Sequence, residues 1–206
     1  KSQSLLVCGC QQQEDTFMAA VESQMLELGT RAPAFSLADP DGNIHTLAPG
    51  ADAYLVMFIC NHCPFVIHVR EELARIGRDY KDRNVSIFAI SSNDIRTHPQ
   101  DAPQHMKAEA ETSGYAFPYL FDEDQSVAKA YRAACTPDFY VFDAKMSLVY
   151  RGQLDDSRPS NNKPVDGRDL RAALDAVLAG ESVSERQTPS IGCNIKWTPG
   201  SEPDYF

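Results

Sequence analysis

The chain is short of positive charge. It carries 19 Lys and Arg against 29 Asp and Glu, a formal net charge of −10 over 206 residues. With no basic cluster to offset this, a phosphate backbone would be repelled, and nucleic acid is not an expected partner. No apolar run approaches the roughly 20 residues that span a bilayer, so no membrane-crossing helix is expected. Six cysteines are too sparse for a disulfide scaffold, a device of small Cys-dense chains. There is no second C-x-x-C and no H-x-x-x-H, so the usual ligand sets for zinc are missing and no metal is expected.

What is present is ordinary globular material, 43% hydrophobic and 23% charged, enough to bury a core without staples. The reading is an extension over 1–27, one domain over 28–180, and a tail over 181–206. That tail is rich in Pro, Ser and Gly, but its Cys193 and Trp197 imply that it packs back on the domain. Leu5 to Cys10 is a short apolar stretch ending in Gly and Cys. It resembles the end of a bacterial lipoprotein signal but lacks a clear basic start. The expected location is the cytoplasm; the alternative is the bacterial periplasm or envelope, with Cys10 as a lipid-anchor site. Otherwise Cys8 and Cys10 are thiols on a loose terminus.

Phe35 to Leu47 reads as a β-hairpin turning at Asp39-Pro40-Asp41-Gly42. Ala53 to Ile59 is an unbroken apolar run of strand length, suited to a central strand buried on both faces. After it, Val66, Val69, Leu73, Ile76 and Tyr80 recur at helical spacing. Further on, the pattern predicts a strand over Val85 to Ile90, a helix over about Asp101 to Glu111, and a strand over Phe117 to Phe121. It then predicts a helix over Gln125 to Ala133, paired strands over Phe139 to Phe142 and Leu148 to Arg151, and a helix over about Gly167 to Leu178 that stops at Gly180. The expected fold is α/β, a central mixed sheet with helices on both faces, an N-terminal hairpin and an irregular tail.

Cys60-Asn61-His62-Cys63-Pro64 sits where the buried strand becomes the amphipathic helix. Disulfide exchange needs a thiolate, and a helix N-terminus favours one through its unpaired N–H groups and dipole. Cys60 is expected to be the exposed attacking thiolate and Cys63 the resolving thiol. His62 would depress the Cys60 pKa further, Asn61 completes the motif, and Pro64 is tolerated at a helix start.

Cys135-Thr136-Pro137-Asp138 precedes a later strand. Together with the strand, C-x-x-C and helix, it resembles the thioredoxin superfamily. That resemblance implies a cis-proline at Pro137 and a substrate-contacting Thr136. More closely, Leu28 to Leu37, Phe58 to Pro64, Phe117 to Asp122 and Ser190 to Trp197 resemble the peroxiredoxin-like branch of alkyl hydroperoxide reductase/thiol-specific-antioxidant proteins. Aligning Cys63-Pro64 on that family's Cys-Pro puts Cys60 at its Thr, Val56 at its Pro, and Pro137 at or near its Arg. Three peroxide-activating residues are absent, which favours dithiol exchange.

The strand Tyr54 to Ile59 also lacks the buried acid of ordinary thioredoxins. Cys135 and Cys193 are candidate extra redox thiols, paired with each other in one reading. The expected activity is a thiol:disulfide oxidoreductase with no cofactor. Its partners would be a disulfide-bearing protein or small thiol substrate and an external thiol electron donor. The alternatives are a thiol-dependent peroxidase and a copper-binding module, although copper chaperones of similar fold space their cysteines one residue further apart.

Overall fold

The computed structural model describes residues 20–206, so Cys8 and Cys10 lie outside the described residues. The strands are β1 (Ala20–Glu22), β2 (Ser36–Ala38), β3 (Ile44–Thr46), β4 (Ala53–Phe58), β5 (Val85–Ser91), β6 (Tyr119–Phe121), β7 (Cys135–Thr136), β8 (Asp138–Asp143), β9 (Leu148–Gly152) and β10 (Ile191–Asn194). The α-helices are α1 (Pro64–Asp79), α2 (Pro103–Ser113), α3 (Ser126–Ala130) and α4 (Arg168–Ala179). A seven-stranded sheet has the order β3-β2-β6-β5-β4-β8-β9. Its β4, β5 and β6 run parallel and its other pairings are antiparallel, so the sheet is mixed as expected.

The apolar run of β4 is central and buried at every position. Because successive side chains point to opposite faces, Leu55 and Met57 enter one core and Tyr54, Val56 and Phe58 the other. The first core is closed by Val66, Val69, Leu73 and Ile76 of α1 and by Leu170, Ala173 and Leu174 of α4. The second is closed by Val127, Ala128 and Tyr131, in and just beyond α3, and by Ile195 and Trp197 of the tail. Helices therefore cover both faces.

The largest differences from the sequence reading lie in two helices and in β6, which begins at Tyr119 rather than Phe117. The helix expected from Asp101 starts at Pro103, after a 3-10 turn over Pro99–Asp101. Ala102 is held extended (φ −65°, ψ 154°), as the residue before a proline tends to be, and this splits the helix from the turn. The helix expected over 125–133 is shorter, because Gln125 and Arg132 have φ of 62° and 51°.

A second, three-stranded sheet has the order β1-β10-β7. It lays the tail against the segment before Pro137, with Cys193 opposite Thr136 and Asn194 opposite Cys135. On its other side β10 pairs with β1, which lies within the stretch read as an extension. Among the described residues no helix is long and apolar enough to cross a membrane.

Candidate active site

The site is assembled at the end of β4. The chain leaves the sheet at Ile59, turns through Cys60, Asn61 and His62, and enters α1 with Cys63 at the N-cap and Pro64 in the first turn. The free N–H groups and positive end of α1 thus fall on Cys63 rather than Cys60. Opposite stands the Thr136–Pro137 peptide, which is cis as the resemblance implied. The Cys63 thiol donates to Thr136 O at 3.1 Å, and Cys60 Sγ lies 3.4 Å from Thr136 Oγ1.

The tail supplies a third wall and a third sulfur. Cys193 rides on β10 beside Thr136, and its thiol, like that of Cys60, acts on the Cys63 thiol. The three cysteines lie in one buried cluster. Cys135 does not join them: its thiol donates to Pro137 O at 3.6 Å. Facing residues of an antiparallel pair share a face and the next residue takes the other. The register therefore puts Cys193 with Thr136 on one face and Cys135 with Asn194 on the opposite one. The sequence reading that paired Cys135 with Cys193 is corrected.

The fourth wall is the segment after β5. Asp101 has no solvent exposure. Its Oδ1 accepts the Asn61 N–H at 2.8 Å, and its Oδ2 accepts Asn93 Nδ2 at 2.8 Å. Its Oδ2 also lies 2.7 Å from His62 Nδ1, a close approach without hydrogen-bond alignment. The His62 ring stacks on His98 with centroids 5.2 Å apart. Asn61 donates to Gln100 O at 2.9 Å and accepts from the Tyr119 hydroxyl at 3.1 Å. This segment is tied to the tail through Lys196 N–H and Asn93 Oδ1 at 2.8 Å.

These contacts reverse the expected electrostatics. Cys60 is 2% exposed and Cys63 0%, so the first sulfur is not the open one. Bonds from the Cys193 and Cys60 thiols, with the amides of Cys193 and Val66, hold the Cys63 thiol far below its ordinary pKa. Cys60 is driven well above its own value by its bond to Cys63, by burial and by the charge of Asp101. Cys193 is likewise raised, through Cys63 and burial. His62 faces Asp101, and of the three thiols Cys63 alone is lowered.

Cys60, His62 and Asp101 bring donor atoms within 4.8 Å of one another, a grouping a cation could use. Asp101, however, already spends both oxygens on Asn61, Asn93 and His62. Burial pushes Asp101 up, but the contacts from His62 and Asn93 outweigh it and keep the carboxyl low.

Sequence reasoning found the C-x-x-C and the proline but missed Asp101, Asn93 and His98. Nothing in His98-Pro99-Gln100-Asp101 marks a buried acid, because an Asp at the expected start of a polar helix reads as an exposed first-turn residue. It also missed Asp138. The strand before the motif carries no acid, but β8 supplies one that is fully buried beside Pro137.

The sequence pattern of the AhpC/TSA family matches residues 28–151. No curated protein sequence matches the chain. Among solved structures, an uncharacterized conserved protein from Geobacillus kaustophilus is similar at 57% identity and a TM-score of 0.87, over 89% of this chain and 99% of that one. A hypothetical protein from Sinorhizobium meliloti follows at 53% identity and a TM-score of 0.86, over 87% of this chain and 99% of that one. The thioredoxin domain of a thiol-disulfide oxidoreductase from Bacteroides vulgatus shares the fold at 18% identity and a TM-score of 0.54, over 71% of this chain and 96% of that one. The chain belongs to the AhpC/TSA family and has a thioredoxin-like fold.

Proposed function

We propose that the chain is a thiol:disulfide oxidoreductase in which Cys60 and Cys63 cycle between dithiol and disulfide. The observation that carries this is the Cys63 sulfur, placed at the head of α1, in one buried cluster with Cys60, with both sulfurs facing Thr136 beside the cis-proline. The thiolate is the nucleophile, and Cys63, the thiol whose pKa is lowered, supplies it when it gives up the proton it donates to Thr136 O, so the roles read from the sequence are exchanged. Cys63 attacks one sulfur of an incoming disulfide, that S–S bond breaks, and the first half leaves as a thiolate. Cys60 then attacks the Cys63 sulfur, gives its proton to the second half, and releases it as a thiol. The substrate gains two electrons and the pair becomes a disulfide, which an external thiol donor reduces again.

Peroxide chemistry in this family calls for a cation at the thiolate. The groups acting most on Cys63 are two thiols and two amides, with no guanidinium among them. Because both sulfurs are covered, small disulfides are the first substrates to try, ahead of protein disulfides such as insulin. Turnover should fall at least about 100-fold in Cys63→Ser, the loss of a reacting atom. Undiminished turnover in that variant would sink the proposal, and hydrogen peroxide consumption outpacing disulfide turnover would favour peroxidase chemistry instead.

A further inference from the structure

We propose that Cys193 is a second resolving thiol, so that the Cys63 sulfur is shared between two alternative disulfides, Cys60–Cys63 and Cys63–Cys193. This deepens the function proposed above and rests on it.

The three sulfurs gather around Thr136: Cys60 Sγ lies 3.4 Å from its Oγ1, Cys63 Sγ lies 3.1 Å from its carbonyl O, and Cys193 stands opposite it in the register, all three in one buried cluster. Thiols gathered around one residue need only a short approach to reach the S–S bond length of about 2.05 Å. Cys193 is also held in place from several sides. Opposite Thr136 in the register, its side chain shares the face that meets the active-site sulfurs. The residue before it is Gly192, where a Cβ would fall 2.0 Å from Thr136 O and 3.1 Å from Pro137 N. Only a residue without a side chain lets β10 lie this close to the proline segment, and that approach carries Cys193 to the sulfurs. The flanks are stitched down as well. Ser190 Oγ donates to Pro137 O at 2.6 Å, Ile195 N–H to Ala134 O at 3.0 Å, and Lys196 N–H to Asn93 Oδ1 at 2.8 Å.

In the proposed step Cys63 is already joined to half of a substrate. The Cys193 sulfur attacks Cys63 Sγ, the Cys63–substrate bond breaks, and the departing sulfur takes the Cys193 proton. Cys63 and Cys193 are left as a disulfide. The same attack on a Cys60–Cys63 disulfide breaks that bond and moves the proton from Cys193 to Cys60, with no net oxidation. The product ties the C-terminal segment covalently to the head of α1 and leaves Cys60 as a free thiol.

The test is disulfide mapping by mass spectrometry. The purified reduced protein is treated with one equivalent of diamide, free thiols are alkylated, and the linked peptides are identified. The wild type should yield both linkages, each containing Cys63. Cys60→Ser should still yield Cys63–Cys193, Cys193→Ser should yield Cys60–Cys63 alone, and the double variant should yield neither. A wild type and a Cys60→Ser protein that both lack the Cys63–Cys193 linkage overturn this proposal. If Cys60–Cys63 still forms and turns over disulfides, the oxidoreductase reading stands without it. If no linkage at Cys63 forms and no disulfide is reduced, that reading fails too. The wild-type map needs no variant, so a substitution that prevents folding does not blunt the test.

Discussion

Asp101 and Asp138 are both without solvent exposure, and they approach the cysteine motif from opposite sides. One is held below the ordinary carboxylate range and the other is pushed up to about 7. The difference is the supply of donors. Asp101 sits in a polar loop where an amide N–H, an asparagine and a histidine converge on its two oxygens. Asp138 opens a strand inside the sheet, with the Tyr140 hydroxyl donating to Oδ2 at 2.9 Å and Oδ1 unpartnered among the described residues. Burial wins there over what Tyr140 and Ser23 return. Depth alone does not set the charge of a buried acid; what its neighbours can donate does. The thiols obey the same rule, since Cys63 collects donors and is lowered while Cys60 is raised by Cys63, by burial and by the Asp101 charge.

The comparison breaks most severely at Asp101. Asp101→Ala removes the acceptor for Asn61 and Asn93 and the carboxylate beside His62, and should cost about 3 kcal/mol in urea unfolding. It should also lower the pKa of Cys60 as followed by alkylation, because one cause of its rise is gone. A variant within about 0.5 kcal/mol of wild type would show that this network does not hold the segment.

Asp138 gives a smaller effect with a defined sign. Its pKa is raised in the folded state, so the native protein keeps a proton that the unfolded chain has lost. Its contribution is full below about pH 4 and is lost as pH climbs through about 7. Asp138→Asn escapes that loss. Between pH 5 and pH 8 its stability should gain on the wild type by about 2 to 3 kcal/mol. Parallel unfolding curves at the two pH values would place the titration elsewhere. Asp39 and Asp94 are both lowered by the groups that donate to them, so their contributions are lost only at lower pH and do not confuse the window. The mildest change is Tyr140→Phe, which removes the hydroxyl donor to Asp138. It should cost about 1 kcal/mol and move the midpoint of the same pH–stability curve upward; a midpoint that stays put would assign the hydroxyl no part in it.

The frame of the molecule was legible because it rests on local periodicity. The β4 run and the stripe from Val66 to Tyr80 report their burial directly in residue order, and Gly114 and Gly180 end their helices in the left-handed conformation that glycine allows. The two cysteines of the motif were legible for the same reason, lying at a joint between such elements, and the cis-proline was legible through the family resemblance. The charge distribution was not. It depends on Asp101, brought in by a turn that Pro99 and Pro103 shape, and on Cys193, whose segment shows no period. A lone Asp after a proline likewise reads as a turn residue, and only the sheet reveals that Asp138 is inside.

The cluster of three sulfurs has a further consequence, which is one of parity. A disulfide consumes sulfurs two at a time, so a closed group of three can never be emptied of thiols by its own pairing. Whichever pair is joined, one sulfur remains beside the bond as a built-in nucleophile able to reopen it. The oxidised state of Cys60, Cys63 and Cys193 is then an exchange between two bonds, and only a sulfur from outside the group can bring that exchange to rest.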